Sequence, residues 1–93
     1  MRVELHEATF IIAGGNFAVA MRFSKVDTKV PIPVARAEAE SVHGLLQEAR
    51  RRKLPIASDG CTARRVFEKI QLDQRISREL YEPVLRCMSE LGV

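Results

Sequence analysis

The chain has 93 residues and a formal net charge of +3, a length that suits one domain and excludes a two-domain organisation. Hydrophobic residues make up 46% of the sequence and charged residues 29%, so the chain is expected to fold around a core rather than remain disordered. Aromatic residues are only 5%, with no Trp. The core should therefore be aliphatic, and stacking platforms for single-stranded nucleic acid are scarce.

Two features indicate the compartment. Cys61 and Cys87 follow no secretory leader, which predicts reduced thiols in a cytosol-like environment. The longest apolar run, residues 17–21, is far shorter than the roughly 20 residues of a transmembrane helix. The chain is therefore predicted to be a cytoplasmic, soluble domain.

The first part of the sequence predicts three strands. Residues 9–13 and 17–23 are rich in β-branched and aromatic residues. The Gly-Gly-Asn segment at 14–16 predicts a tight hairpin turn between them, because a Gly pair lets both central residues take a positive φ. Residues 31–35 predict a short third strand, whose two prolines cannot donate ladder hydrogen bonds and so place it at a sheet edge.

The second part predicts three helices and one more strand. Apolar residues at helical spacing predict a helix over 37–53, with acidic residues in its first turn and basic residues in its last. Residues 54–57 predict a short strand, and 63–70 a second amphipathic helix. Ser77 is a candidate N-cap for a last helix, which should have a one-turn entry and continue from Pro83 onward.

This order of elements predicts an α/β fold, with a small mixed sheet of about four strands packed against about three helices. The first helix is expected to be a right-handed crossover between two parallel strands. The whole chain, residues 1–93, is expected to form one domain. The residues predicted to be largely buried are Ile11, Val19, Val34, Leu45, Leu46, Ile56, Val66, Phe67 and Val84.

Several strings then resemble the cytoplasmic domain of the FlhB/YscU family, the switch proteins of flagellar and injectisome type III secretion. Residues 17–23 are similar to a Tyr-Ala-Val-Ala-Leu-Arg-Tyr-like strand of that family, and residues 30–37 to its Ala-Pro-x-Val-Val-Ala-Lys-Gly run. Residues 54–56 resemble its Val-Pro-Ile strand, 63–67 its Ala-Arg-Ala-Leu-Tyr helix, and 76–84 its Ile-Pro-Glu-Glu-Leu-Tyr-x-x-Val segment.

The sequence departs from this family at the turn between the first two strands. The family's Asn-Pro-Thr-His stretch, whose Asn cyclises and breaks the Asn-Pro bond, is replaced by Ala13, Gly14, Gly15 and Asn16. Ala13 stands at the Asn position and carries no nucleophile. The resemblance therefore implies a non-cleaving variant with a degenerate cleavage loop.

The resemblance implies a non-enzymatic component of the type III export apparatus, with a flagellar apparatus favoured. It would act in substrate recognition or specificity switching at the cytoplasmic export gate, with membrane association only through other export-apparatus proteins. The family's apolar patch for export substrates maps to Val30, Pro31, Leu85 and Met88. On spacing alone, Leu85 and Met88 are nearly as well explained as core residues.

Other functions have weaker signals. No nucleophile has a base at an evident spacing, so no catalytic residue and no cofactor is predicted. His6, His43, Cys61 and Cys87 lack the paired spacing of a zinc site, so no metal is predicted. The alternative is a small basic nucleic-acid-binding module that uses residues 50–53, although four cations at a helix C-terminus also suit the helix dipole.

The start of the chain leaves one question open. Members of the resembled family carry a multi-span membrane domain ahead of this region, whereas Met1 here lies a few residues before the first strand. A start methionine with no linker-like residues after it favours a short free-standing paralogue. An excised domain of a membrane protein is the other interpretation.

Overall fold

The computed structural model describes residues 8–23, 31–69 and 76–92. Within these ranges the chain forms four strands and three α-helices. They are β1 (Phe10–Gly14), β2 (Phe17–Arg22), β3 (Ile32–Glu38), α1 (Glu40–Arg51), β4 (Ile56–Ser58), α2 (Gly60–Lys69) and α3 (Tyr81–Leu91), the last entered through a 3₁₀ turn, Arg78–Leu80.

The four strands form one mixed sheet in the order β3-β2-β1-β4. β2 is antiparallel to both β1 and β3, and β4 is parallel to β1. β3 and β4 therefore run in the same direction at opposite edges, and α1 crosses the sheet between them. The α/β prediction of a small mixed sheet with about four strands and three helices is confirmed.

Each face of the sheet has its own core, because side chains alternate between the faces of a strand. Ile12 and Val19 point to the face covered by α2 and α3, where they pack with Val66, Val84 and their neighbours. The opposite face is largely alanine and packs against Leu45, Ala49 and the rest of α1. The residues of this second cluster are Ala8, Ile11, Ala13, Ala18, Ala20, Ala37, Leu45 and Ala49.

Two of the predicted helices begin three residues away from their predicted starts. β3 continues to Glu38, so α1 begins at Glu40 and not at position 37 as predicted. Ala37 pairs with Ala18 of β2 and is buried against α1, and this pairing overrides the helical periodicity. α2 begins three residues earlier than predicted, at Gly60.

The entry to the last helix is close to the prediction. A 3₁₀ turn leads into α3, which begins at Tyr81, two residues before Pro83. Pro83 therefore lies in the first turn of α3, where a missing backbone N–H removes no intrahelical bond. Ser77 is the residue before the 3₁₀ turn, but its side chain makes no capping hydrogen bond.

Five of the nine predicted core residues are buried, and four are only partly so. The buried ones are Ile11, Val19, Leu45, Val66 and Val84. Val34, Leu46, Ile56 and Phe67 are half-buried at the margins of the two clusters. Val34 has no cross-strand partner because β3 is irregular there. In the part of the chain that the structure describes, no helix is long and apolar enough to cross a bilayer.

Candidate functional site at the β1–β2 turn

Three connections of the fold meet at one end of the sheet. β1, β3 and β4 all run towards the β1–β2 turn, because Glu38 pairs with Phe17 and Ser58 pairs with Ala13 at that end. The helices that follow β3 and β4, α1 and α2, therefore begin beside the turn. Residues 13–16, which the sequence predicts to be a degenerate cleavage loop, lie between two helix N-termini.

Two backbone hydrogen bonds hold the turn from either side. The N–H of Ala39, the residue before α1, donates to the carbonyl oxygen of Asn16 at 2.8 Å. The N–H of Asp59, the residue before α2, donates to the carbonyl oxygen of Ala13 at 3.0 Å. Both ends of the turn are thus tied to the rest of the fold by main-chain groups, which depend on chain path rather than on side-chain identity.

The conformation of the turn differs from the predicted Gly-Gly arrangement. Gly14 remains in β1 and pairs with Phe17, so the two central residues are Gly15 and Asn16. Gly15 has a φ of 59°, whereas Asn16 is not among the positive-φ residues. Glycine at the first central position is the requirement of a type II′ hairpin turn.

Gly14 is required for a different reason, which is close contact with α2. A Cβ built at position 14 would collide with the backbone nitrogen of Gly60 and lie 2.5 Å from its Cα. These are backbone atoms, so the collision cannot be relieved by a side-chain rotation. The turn is evident from the sequence, but its contact with Gly60 is not, since nothing in the local pattern brings the start of α2 against β1.

Asp59 caps the N-terminus of α2. Its Oδ1 accepts the backbone N–H of Thr62 at 3.1 Å, and its Oδ2 accepts the Thr62 hydroxyl at 2.8 Å. This is the geometry of an N-cap, and the sequence signal for it was an Asp just before an amphipathic run. The hydrogen bond from the Thr62 N–H is the main reason that the pKa of the Asp59 carboxyl lies below its usual value.

The buried thiol of Cys87 joins this capping group from α3. Cys87 Sγ lies 3.7 Å from Asp59 Oδ2 and donates to it, and Cys87 is only 1% exposed. Burial, together with the negative charge of Asp59, raises the pKa of the Cys87 thiol to about 11. The thiol is therefore protonated at neutral pH and inert as a nucleophile. Cys87, Thr62 and Asp59 form a structural link between α3 and the turn end of the sheet.

An aromatic and cationic cluster borders the turn on the β3 side. The rings of Phe17 and Phe67 are 5.0 Å apart and tilted by 51°. Arg36 Cζ lies 5.1 Å from the centre of the Phe67 ring, within the range of a cation–π contact. A cleft of about 240 Å³ opens beside them, lined by Arg36, Ala37, Glu38, Ser41 and Phe67.

The described residues provide little for metal or acid–base chemistry. Across residues 8–23, 31–69 and 76–92, no three His, Cys, Asp or Glu side chains are grouped so as to hold a metal ion. Position 13 itself offers only a methyl group, 6% exposed.

At the basic end of α1, Glu48 accepts hydrogen bonds from Arg51 and Arg52, which lower the pKa of Glu48 to about 2.

Of the four residues predicted to form an apolar substrate patch, the three that the structure describes do not share one surface. Met88 is 3% exposed and belongs to the core cluster beneath α2 and α3, and Pro31 is also fully buried. Leu85, by contrast, is 49% exposed. Leu85 and Met88 therefore do not share an exposed face, and the core alternative fits Met88 but not Leu85, because the α3 face that carries Met88 packs on the sheet. Val30 lies outside the described residues.

Fold and site together define a class: a small mixed α/β domain whose β1–β2 turn is flanked by the N-termini of two helices. The sequence profile of the FlhB HrpN YscU SpaS family matches residues 1–91. The chain belongs to this family, and the resemblance noted from its sequence strings is confirmed.

Individual relatives agree with this assignment. The probable translocation protein y4yO of Sinorhizobium fredii (strain NBRC 101917 / NGR234) is 29% identical over 89 residues, which cover 96% of this chain and 26% of that protein. The chain thus spans about a quarter of the length of this curated relative.

Solved structures show the same fold. The cytoplasmic domain of FlhB from Shewanella putrefaciens superposes with a TM-score of 0.85 at 22% identity, over 92% of this chain and 67% of that one. An EscU C-terminal domain with an Asn-to-Asp substitution also gives 0.85, at 19% identity, over 91% of this chain and 79% of that one.

Proposed function

We propose that this domain is a non-enzymatic component of a type III protein-export apparatus that acts in substrate recognition or specificity switching at the cytoplasmic export gate. Membership of the FlhB HrpN YscU SpaS family and the likeness to the cytoplasmic domain of FlhB support this assignment. The domain would lie in the cytoplasm and reach the membrane through other export-apparatus proteins. A flagellar setting is part of the proposal, and normal swimming in a strain without the gene would contradict it.

The observation that carries the proposal is the chemistry of position 13 in an otherwise family-like fold. In the resembled family an Asn side chain at this position attacks its own carbonyl carbon. Ala13 has no side-chain amide nitrogen to do so, and its carbonyl oxygen accepts a hydrogen bond from the N–H of Asp59. The domain would therefore act with an unbroken chain, as a stand-in for one state of a full-length switch protein.

The contact between Gly14 and Gly60 would oppose cleavage for a second reason, which concerns position 14 rather than the missing nucleophile. Proline, the residue that the family carries at position 14, has a Cβ, and a Cβ there would collide with the Gly60 backbone. Restoring the two family residues with Ala13→Asn and Gly14→Pro should consequently not restore the family's turn unless α2 shifts.

Intact-mass measurement tests the unbroken chain. The purified protein is incubated at neutral and mildly alkaline pH, and we expect a single species at the full mass. The Ala13→Asn/Gly14→Pro variant is the matched sample. It has the nucleophile, but the Gly60 backbone leaves no space for the proline ring. A wild-type protein that breaks between residues 13 and 16 would contradict the proposal.

Among the described members of the predicted patch, Leu85 is the exposed one, and we include it in the proposal. Leu85→Glu should weaken association with export substrates, with no loss of stability. Ser89→Glu adds the same charge one turn further along the exposed face of α3 and serves as the control. Equal substrate binding by the wild type and Leu85→Glu would exclude Leu85 from the patch.

A further inference from the structure

β3 is an edge strand whose two halves differ. Its first half is poorly suited to pairing on the outside, because Pro33 has no N–H and Val34 is bulged out of register with β2. The second half, residues 35–38, is regular. Among the described residues no strand pairs with the outer side of β3, and the cleft beside Arg36 and Glu38 shows open space next to this half.

The direction of the free backbone groups follows from the pairing with β2. Ala39 donates its N–H to Asn16 on the β2 side, and Ala37 is opposite Ala18 in the same register. Backbone groups of successive residues in a strand point to opposite sides. The N–H and C=O of Arg36 and Glu38 therefore point outward, away from β2.

The side chains at these two positions have opposite charges. Both Arg36 and Glu38 are exposed, and they lie two residues apart, hence on the same face of the sheet. An antiparallel strand complements them if it offers a cation opposite Glu38 and, two residues later, a carboxylate opposite Arg36. The segment Arg36-Ala37-Glu38 itself has this order.

We infer that the second half of β3 is a self-complementary edge that pairs with a second copy of this chain about a two-fold axis through Ala37. Each Arg36 would then face the partner's Glu38. Both residues of each such pair direct their N–H and C=O outward, so the two pairs form four backbone hydrogen bonds in addition to two ion pairs. The small side chain of Ala37 at the axis permits the close approach of a non-hydrogen-bonded pair.

The Arg36 side chain is already positioned by a neighbouring ring before any second copy binds. Its guanidinium lies over the Phe67 ring, with Cζ 5.1 Å from the ring centre, and this contact reduces the conformational freedom that Arg36 loses on binding. The inference goes beyond the export proposal, and the result of the cleavage experiment has no bearing on it.

The contact is small, so sedimentation velocity should be followed up to about 1 mM protein, where weak dimers are populated. We expect the wild-type sedimentation coefficient to rise with concentration. Arg36→Glu and Glu38→Arg should each weaken self-association by about tenfold or more, since two attractive pairs become two repulsive ones.

Mixing the two variants gives the sharper result. The Arg36→Glu chain carries two carboxylates at the edge and the Glu38→Arg chain two cations, so an equimolar mixture should form a mixed dimer. The double variant Arg36→Glu/Glu38→Arg should recover self-association, because it is again self-complementary. Circular dichroism melting of each variant confirms that the chains compared are folded.

Amide hydrogen exchange on the wild type requires no variant at all. The outward amides of Arg36 and Glu38 should exchange more slowly at high protein concentration, and the Ala37 amide should not change. A wild type that stays monomeric up to about 1 mM overturns the inference. So does a dimer that is unaffected by the charge reversals, or one whose protected amides lie outside β3.

Discussion

The backbone N–H of Ala39 donates to the carbonyl oxygen of Asn16 at 2.8 Å, and Ala39 makes this bond from a backbone conformation that favours glycine. Its φ is 52° and its ψ −125°. A residue with a Cβ is strained in this region by about 1–3 kcal/mol. The link between α1 and the β1–β2 turn is therefore formed at a cost in stability.

Ala39→Gly should stabilise the domain by about 1 kcal/mol, because the relief of strain exceeds the added backbone entropy of the unfolded chain. Urea unfolding measures the change. Ala35→Gly, in β3 and not among the residues of positive φ, is the control and should destabilise. An Ala39→Gly variant that is less stable than the wild type would mean that Ala39 is not strained in solution.

Gly14→Ala should destabilise the domain by about 2–3 kcal/mol, as expected for overpacking against atoms that cannot rotate away. The atoms in question are those of the Gly60 backbone. Gly44 provides the matched comparison, since it lies in α1 with open space around it. Gly44→Ala should raise stability by about 0.5–1 kcal/mol through helix propensity. Equal effects of the two changes on the thermal midpoint would refute the close contact.

Leu85 and Met88 should respond in opposite ways to a charged substitution. Met88→Glu places a carboxylate in the core and should unfold most of the protein, because an unpaired buried charge is costly. Leu85→Glu should change the free energy of unfolding by less than about 0.5 kcal/mol, as is usual for surface substitutions. Circular dichroism at neutral pH distinguishes the two, and a folded Met88→Glu variant would contradict the placement of that side chain.

The Asp59 cap predicts part of the acid sensitivity of the fold. A carboxyl whose pKa is lowered on folding contributes stability that is present above its unfolded pKa of about 3.8 and is lost as the pH falls through the folded value. Asp59→Asn keeps an amide oxygen for the Thr62 N–H but does not titrate. The wild type should therefore lose more unfolding free energy than Asp59→Asn between about pH 5 and about pH 2.

Thr62→Val is the control for this pH experiment. It removes the hydroxyl but keeps the backbone N–H, which is the largest cause of the lowered pKa. The variant should therefore retain most of the acid dependence. Identical pH profiles for the wild type and Asp59→Asn would show that the cap contributes no acid sensitivity.

Local sequence patterns alone were sufficient to predict the secondary-structure elements and to indicate the family. Runs rich in β-branched and aromatic residues predicted β1 and β2, helical spacing predicted α1 and α2, and the strings around residues 17–23 indicated a family that the sequence profile confirms. These features depend on neighbours within one turn or one strand, so they can be predicted from the sequence without knowledge of the fold. The absence of a nucleophile at Ala13 is likewise a property of a single position.

Tertiary structure alone decided what lies against the turn and which side of α3 is exposed. Gly60 reaches Gly14 because β4 is parallel to β1 and ends beside it, and strand order is set by long-range packing rather than by local spacing. By helical spacing alone, Leu85 and Met88 fit one apolar stripe equally well. Only the packing of α3 on the sheet buries Met88 and leaves Leu85 in solvent, since burial depends on residues far away in the chain.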